Sequence, residues 1–177
     1  MINILFHVPI YYYEVKDWDR KKKALLSRLD PKVFKYYMLN DFASDRHVEK
    51  NSYSIDIQNI FDEELNQFKQ ECRLEHLRVK DAWTLKYNKK GEYHCPHNHG
   101  SNGFSAVLYL EFDPEVHEGV KFVGPWNDPV NDRTLLSTVP NPREGVIYIW
   151  PSVLVHYVDA MKTNKTRMVT SWDMEVQ

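Results

Sequence analysis

Cysteine is scarce: Cys72 and Cys95 are the only two in 177 residues. One pair cannot build a disulfide framework, so the fold must rest on its core, and a reducing compartment is the expected setting. A chain of this length can bury such a core unaided. An excess of one charge is missing too. Lys and Arg number 23 against 25 Asp and Glu, for a formal charge of −2, which gives no electrostatic grip on nucleic acid or an anionic membrane. The basic run Arg20-Lys21-Lys22-Lys23 sits beside Asp17 and Asp19 and reads as the solvated face of a helix. No apolar stretch nears the ~20 residues of a membrane span. Met1 to Val15 is apolar and aromatic but has neither a basic leader nor a small-residue cleavage site, so no signal peptide is read there. There is no internal repeat, low-complexity segment or linker. Residues 1–177 are therefore expected to form one domain, with helical and strand support over 1–76 and a β core over 77–177.

What the chain does have is aromatic side chains, 14% of the total, within 42% hydrophobic residues. That richness favours strands around a deep pocket over a helical bundle. Ile2–Phe6 and Pro9–Val15 read as β. Trp18–Leu29 reads as a helix, with Leu25, Leu26 and Leu29 at helical spacing and Pro31 just beyond. Val33–Met38 is an aromatic run of either type, and the polar residues Asn40–Asn51 read as a loop. Ile57–Cys72 is expected to be one helix, with Ile57, Ile60, Phe61, Leu65 and Phe68 facing the core.

From Leu77 the period shortens. A strand is expected up to Tyr87, then a turn at Asn88-Lys89-Lys90-Gly91. Further strands are expected at Phe104–Phe112, Gly119–Val123, Thr134–Val139, Val146–Trp150, Val153–Val158 and Thr166–Met174. Gly124–Asp132 reads as a loop carrying Trp126, either packed or lining a substrate mouth. About eight short antiparallel strands after two helices predict a mainly β fold. The expectation is a double-stranded β-helix, or jelly roll, with the N-terminal helices packed on one sheet.

Three of the eight histidines, His94, His97 and His99, fall within six residues. Side chains two apart on a strand share a face, so His97 and His99 can reach one ion. Imidazole suits iron, zinc, copper and nickel alike. An isolated His-x-His is more often two solvated loop residues. Two distant residues change that balance. His156 lies in the apolar run Val153-Leu154-Val155-His156-Tyr157-Val158, where a buried ring needs a partner and a metal is one. Arg167 opens the apolar strand Arg167-Met168-Val169-Thr170-Ser171-Trp172 and needs an anion, either an internal carboxylate or a ligand's. Cys95 adjoins the cluster and is expected to face away from it rather than supply a thiolate.

Over Trp83 to Trp172 the chain resembles the iron(II)/2-oxoglutarate-dependent oxygenases, particularly the small bacterial and phage members related to prolyl hydroxylases. Tyr87, ten residues before His97, is similar to the tyrosine that contacts 2-oxoglutarate in that family. Phe104–Leu110 looks like the following core strand. Glu144-Gly145-Val146-Ile147-Tyr148-Ile149-Trp150-Pro151-Ser152 resembles the segment before the distal histidine ligand, which His156 matches. Arg167 matches the arginine that pairs with the far carboxylate of 2-oxoglutarate.

The resemblance implies iron(II) held by His97, His99 and His156, and 2-oxoglutarate held by Arg167. It also implies O2 and a small-molecule or peptide substrate as partners, hydroxylation with release of succinate and CO2, and a cytoplasmic protein, of a bacterium or a phage-infected cell, that could form a homodimer. Two departures stand out. The family's first motif is His-x-Asp, and here it is His97-Asn98-His99, so either three histidines bind the metal or a carboxylate elsewhere serves. Val169 stands where many relatives carry a serine that assists the arginine; Ser171, Tyr87 or Tyr109 could take that part. A cupin-like three-histidine enzyme without 2-oxoglutarate and a noncatalytic jelly roll are the competing readings.

Overall fold

Strands that are apolar on both faces must be covered on both, and the larger sheet here is built that way. The structure is a computed structural model describing residues 8–36, 42–47 and 53–176; the expected Ile2–Phe6 strand lies outside them. Seven antiparallel strands lie side by side in the order β1 (Tyr11–Glu14), β9 (Val146–Pro151), β6 (Phe104–Glu111), β11 (Arg167–Val176), β4 (Leu77–Tyr87), β3 (Ala43–Ser44) and β2 (Lys35–Tyr36). A second sheet has the order β5 (His94–His97), β10 (His156–Val158), β7 (Lys121–Asn127) and β8 (Thr134–Thr138).

Alternation along the strands of the larger sheet sorts its side chains between two cores. One set, including Trp83, Leu85, Tyr87, Val107, Tyr109, Tyr148, Trp150 and Val169, meets Val120, Phe122 and Val158 of the smaller sheet. The other set, including Leu108, Leu110, Ile147, Ile149 and Trp172, is covered by the helices α1 (Trp18–Leu26), α2 (Ser54–Ile60) and α3 (Asp62–Glu71) through Leu25, Ile57, Phe61, Leu65 and Phe68. Phe61 lies parallel to Trp172, with ring centroids 6.1 Å apart. This is the mainly β sandwich, helices on one sheet, that the pattern predicts. No helix among the described residues is long and apolar enough to cross a membrane.

Several boundaries differ from expectation, each for a local reason. The helix expected over Ile57–Cys72 is two helices, broken at Phe61 (φ −108°, ψ 24°). The second begins with Asp62, Glu63 and Glu64, acidic residues that favour the positive end of a helix dipole. The basic run of α1 is not wholly solvated: Lys21 is buried, and its Nζ donates to both carboxylate oxygens of buried Glu64 at 2.8 Å. The expected loop Asn40–Asn51 contains the β3 strand, which pairs with β4. The expected loop Gly124–Asp132 is strand as far as Asn127. Its Pro125 is tolerated because the pairing with edge strand β8 is irregular between Val123 and Asn127. Trp126 there is largely exposed. The strand expected from Val153 begins only at His156, because Leu154 N donates to Pro151 O and closes a turn first.

Two features shape the end of the sandwich where the histidines lie. β5 pairs His97 with His156 and His94 with Val158, so three steps on β5 match two on β10. That extra residue is a bulge, and it reverses the side to which β5 side chains point. Gly103, entering β6, has φ +84°, and a Cβ there would lie 2.1 Å from the Met174 carbonyl oxygen. Only glycine lets the two backbones approach so closely.

Candidate metal centre

His97 and His156 face each other across the β5–β10 pair, with ring centroids 4.3 Å apart. His99 follows just past β5, where its amide donates to the Ser152 carbonyl at 3.0 Å. One ligand nitrogen from each of His97, His99 and His156 lies within 4.8 Å of the other two, close enough to converge on one ion.

The hydrogen bonds of these rings decide which nitrogen is available. His97 Nδ1 lies 2.8 Å from the Cys95 carbonyl oxygen, and His156 Nδ1 lies 2.9 Å from that of Leu154. His99 Nδ1 lies 2.7 Å from Asp173 Oδ1. Carbonyl and carboxylate oxygens only accept, so each Nδ1 carries the proton and each Nε2 presents its lone pair. Nε2 of His99 is buried without a hydrogen-bond partner among the described residues. That is an arrangement metal-binding imidazoles use, one nitrogen toward the ion and the other fixed by an acceptor. Burial also disfavours the charged form of two of these rings, His156 and His97. It pushes the imidazole of His156 down to about 3, helped by neighbouring His97, and lowers that of His97.

His94 stacks on His97 at 4.0 Å and is held from the other side by Phe42 at 4.5 Å. It belongs to the wall of the site rather than to the converging triad. Cys95 is exposed and points away, as expected, though regular alternation would have put it on the face of His97. The bulge turns it outward.

One tight pocket, with a cavity volume of about 30 Å³, is lined by the triad and Arg167 together, and also by Trp83, Tyr87, Val169 and Ser171. Arg167 is 1% exposed, and no carboxylate or carbonyl among the described residues accepts a hydrogen bond from its guanidinium. Its charge lies over the rings of Tyr87 and Tyr109, at 4.9 and 5.4 Å from their centroids. Aromatic faces soften a buried cation but do not satisfy its donors. A buried guanidinium without a carboxylate partner calls for an anion in the cavity beside it. The internal Asp or Glu considered from the sequence does not pair with it among the described residues. Tyr109, fully buried, accepts the Val120 amide at 3.0 Å. Burial raises its phenol, against the pull of the Arg167 charge.

Sequence reasoning passed over Asp173 and the serines behind it. Ser105 Oγ donates to Asp173 Oδ1 at 2.8 Å and shares a second bond, 2.9 Å long, with Ser152 Oγ. The signal was there: an aspartate following Trp172 in an apolar strand demands a donor by the same logic that singled out Arg167. Arg46, over the ring of Trp83 at 4.2 Å, was likewise unremarked, in a segment read only as loop.

A family model described as "Putative 2OG-Fe(II) oxygenase" matches residues 81–173, just over half the chain. No curated protein matches. Among solved structures, the fold is shared with a viral collagen prolyl hydroxylase from Paramecium Bursaria Chlorella virus-1, at 11% identity and a TM-score of 0.60, over 95% of this chain and 96% of that one. It is shared with HygX from Streptomyces hygroscopicus, with nickel and 2-oxoglutarate bound, at 15% identity and a TM-score of 0.66, over 95% and 83%. A Pseudomonas putida prolyl-4-hydroxylase aligns at 15% identity and a TM-score of 0.59, over 94% and 92%. With the family model spanning both the histidine motif and the Arg167 strand, the chain belongs to the iron(II)- and 2-oxoglutarate-dependent oxygenases.

Proposed function

We propose that the protein hydroxylates a carbon of an organic substrate, using iron(II) at His97, His99 and His156 and 2-oxoglutarate anchored by Arg167. The observation that carries this reading is the buried guanidinium of Arg167, which meets no carboxylate among the described residues, in the same pocket as three Nε2 lone pairs. The residues fit both groups. Neutral imidazoles with their protons fixed on Nδ1 suit a divalent ion. A planar guanidinium in a dry pocket suits a carboxylate.

When bound, the iron and 2-oxoglutarate supply the oxidising chemistry, coupling O2 to substrate oxidation with release of succinate and CO2. The chain's own part is binding, orientation and exclusion of water. Arg167 takes the distal carboxylate through two parallel N–H donors, which fixes the far end of the cosubstrate relative to the triad. Tyr87, Tyr109 and Ser171 complete that end. The two phenols pack against the guanidinium, and Ser171, two residues beyond Val169 and four beyond Arg167 on the same face of β11, offers a hydroxyl where Val169 offers none. Trp83, Trp150 and Val158 close the walls and keep the cavity apolar. On this reading the chain is one domain, the described residues before Leu77 supplying cover and those from Leu77 onward the site.

The test is succinate formation from 2-oxoglutarate by the full chain with iron(II) and O2, before any substrate is known. Turnover that needs all three components supports the reading. Absence of succinate together with absence of 2-oxoglutarate binding rejects it and returns the cupin-like alternative.

A further inference from the structure

His99 stands where the resembling motif places an aspartate, and it alone of the three histidines has a carboxylate behind it. From this we infer that Asp173 is the carboxylate of the metal centre, acting on the ion through His99 instead of binding it. The inference rests on the triad proposed above. His97 and His156 give their Nδ1 protons to neutral backbone carbonyls at 2.8 and 2.9 Å. His99 gives its proton to Asp173 Oδ1 at 2.7 Å, the short end of the range for an N–H donor and a charged acceptor.

The bond sits where it counts. The His99 side chain is 5% exposed and that of Asp173 is 22% exposed, so little water screens the pair. Asp173 is itself held: Ser105 Oγ donates to the same oxygen at 2.8 Å, and Ser105 and Ser152 share a bond of 2.9 Å. The Ser152 carbonyl in turn accepts the His99 amide at 3.0 Å. His99, Asp173, Ser105 and Ser152 thus form a closed ring of hydrogen bonds. It fixes the imidazole plane and aims Nε2 into the cavity.

A carboxylate accepting the Nδ1 proton pushes electron density toward Nε2 and makes the ring a better donor to a cation. An aspartate ligand would bring its anionic oxygen into contact with the ion. Here the anion stands one imidazole further out, and its field reaches the ion through the ring. Asp173 is on this reading a positioning residue, not a ligand, and it offsets the charge the motif lost when histidine replaced aspartate.

The experiment is a calorimetric titration of the full chain, without 2-oxoglutarate, with nickel(II) and with iron(II) under anaerobic conditions. Asp173→Asn keeps the side-chain shape and an acceptor oxygen while removing the charge. It should weaken metal binding by about 10- to 100-fold, with the metal-free melting temperature close to wild type. In a His99→Asp background, which puts a carboxylate directly at the position, the same Asp173→Asn change should cost no affinity. Affinity equal to wild type in the single variant, or an equal loss in both backgrounds, overturns the inference. Should Asp173→Asn fail to fold, Ser105→Ala takes its place: weaker metal binding at an unchanged melting temperature supports the inference, and unchanged affinity overturns it. A wild-type protein that binds neither metal rejects the triad itself, which separates that failure from this one.

Discussion

At the scale of single residues, the site was legible wherever a group that needs a partner interrupts an apolar strand. His156 and Arg167 announced themselves in that way. Arg167 is the more telling of the two, because it is buried and meets no carboxylate among the described residues. Replacing it by alanine should abolish the rise in melting temperature that 2-oxoglutarate gives the iron-loaded protein. Arg167→Lys should restore little of that rise, since an ammonium cannot offer two parallel donors. Thermal melts with and without 2-oxoglutarate check both. Asp173 escaped notice because its partner, His99, lies 74 residues away, and nothing local marks which histidine a strand aspartate will meet.

The buried imidazoles also predict a pH dependence. Burial holds His156 down to about 3 and His94 to about 2, and lowers His97, while an unfolded histidine titrates near ~6.5. Depressed values in the folded state mean that their contribution is fully present above pH ~6.5. It is lost as the pH falls, because the unfolded chain takes up protons that the folded one refuses. Below that pH, His94 and His156 should each cost the metal-free protein about 1.4 kcal/mol per pH unit. Urea unfolding of metal-free protein between about pH 7 and 5 checks this, and His94→Phe should flatten the curve by about one histidine's share.

At the scale of elements, spacing predicted most strands of the larger sheet, because each alternates cleanly between two cores. It failed where one residue changes the count. The bulge in β5 sets which way Cys95 and His94 point, and its cause is the pairing with β10, not anything within the histidine motif. The break at Phe61 and the extension of β7 through Pro125 are of the same kind: local signals outweighed by what the element packs on or pairs with. Gly103 is the hinge of this region, where β6 passes close to β11. Gly103→Ala would set a methyl against the Met174 carbonyl at a positive φ. It should destabilise the protein by at least about 2 kcal/mol, measured by chemical unfolding. Metal affinity should fall with it, because Met174 adjoins Asp173.

At the scale of the whole molecule, the two-sheet architecture was legible from the order of elements, helices first and short strands after. What was not legible was the company the N-terminal third keeps, since β1, β2 and β3 join the larger sheet as its edge strands and α1 and α3 share a buried ion pair. A ligand that binds only the folded form stabilises all of this at once. Nickel and 2-oxoglutarate at about a hundredfold over their dissociation constants should each add about 2.7 kcal/mol. His156→Ala should remove the metal's share, so that nickel no longer raises the melting temperature of the variant above that of its own metal-free form, which differential scanning calorimetry can read.

One strand, β11, carries both Arg167 and Asp173 on its inner face and lies between β4 and β6. A ribosome makes a chain from its N-terminus, so His97, His99 and His156 are all synthesised before the strand that completes their surroundings. On the proposed assignment, the cosubstrate has no anchor and His99 no carboxylate until β11 inserts. Acquisition of the metal in its finished setting is therefore a late event of biosynthesis. Because the two groups ride on one strand, a slip of a single residue in its pairing would turn both outward together. A misfolded copy would keep the three histidines of the triad and lose, in one step, both the arginine beside them and the carboxylate behind His99.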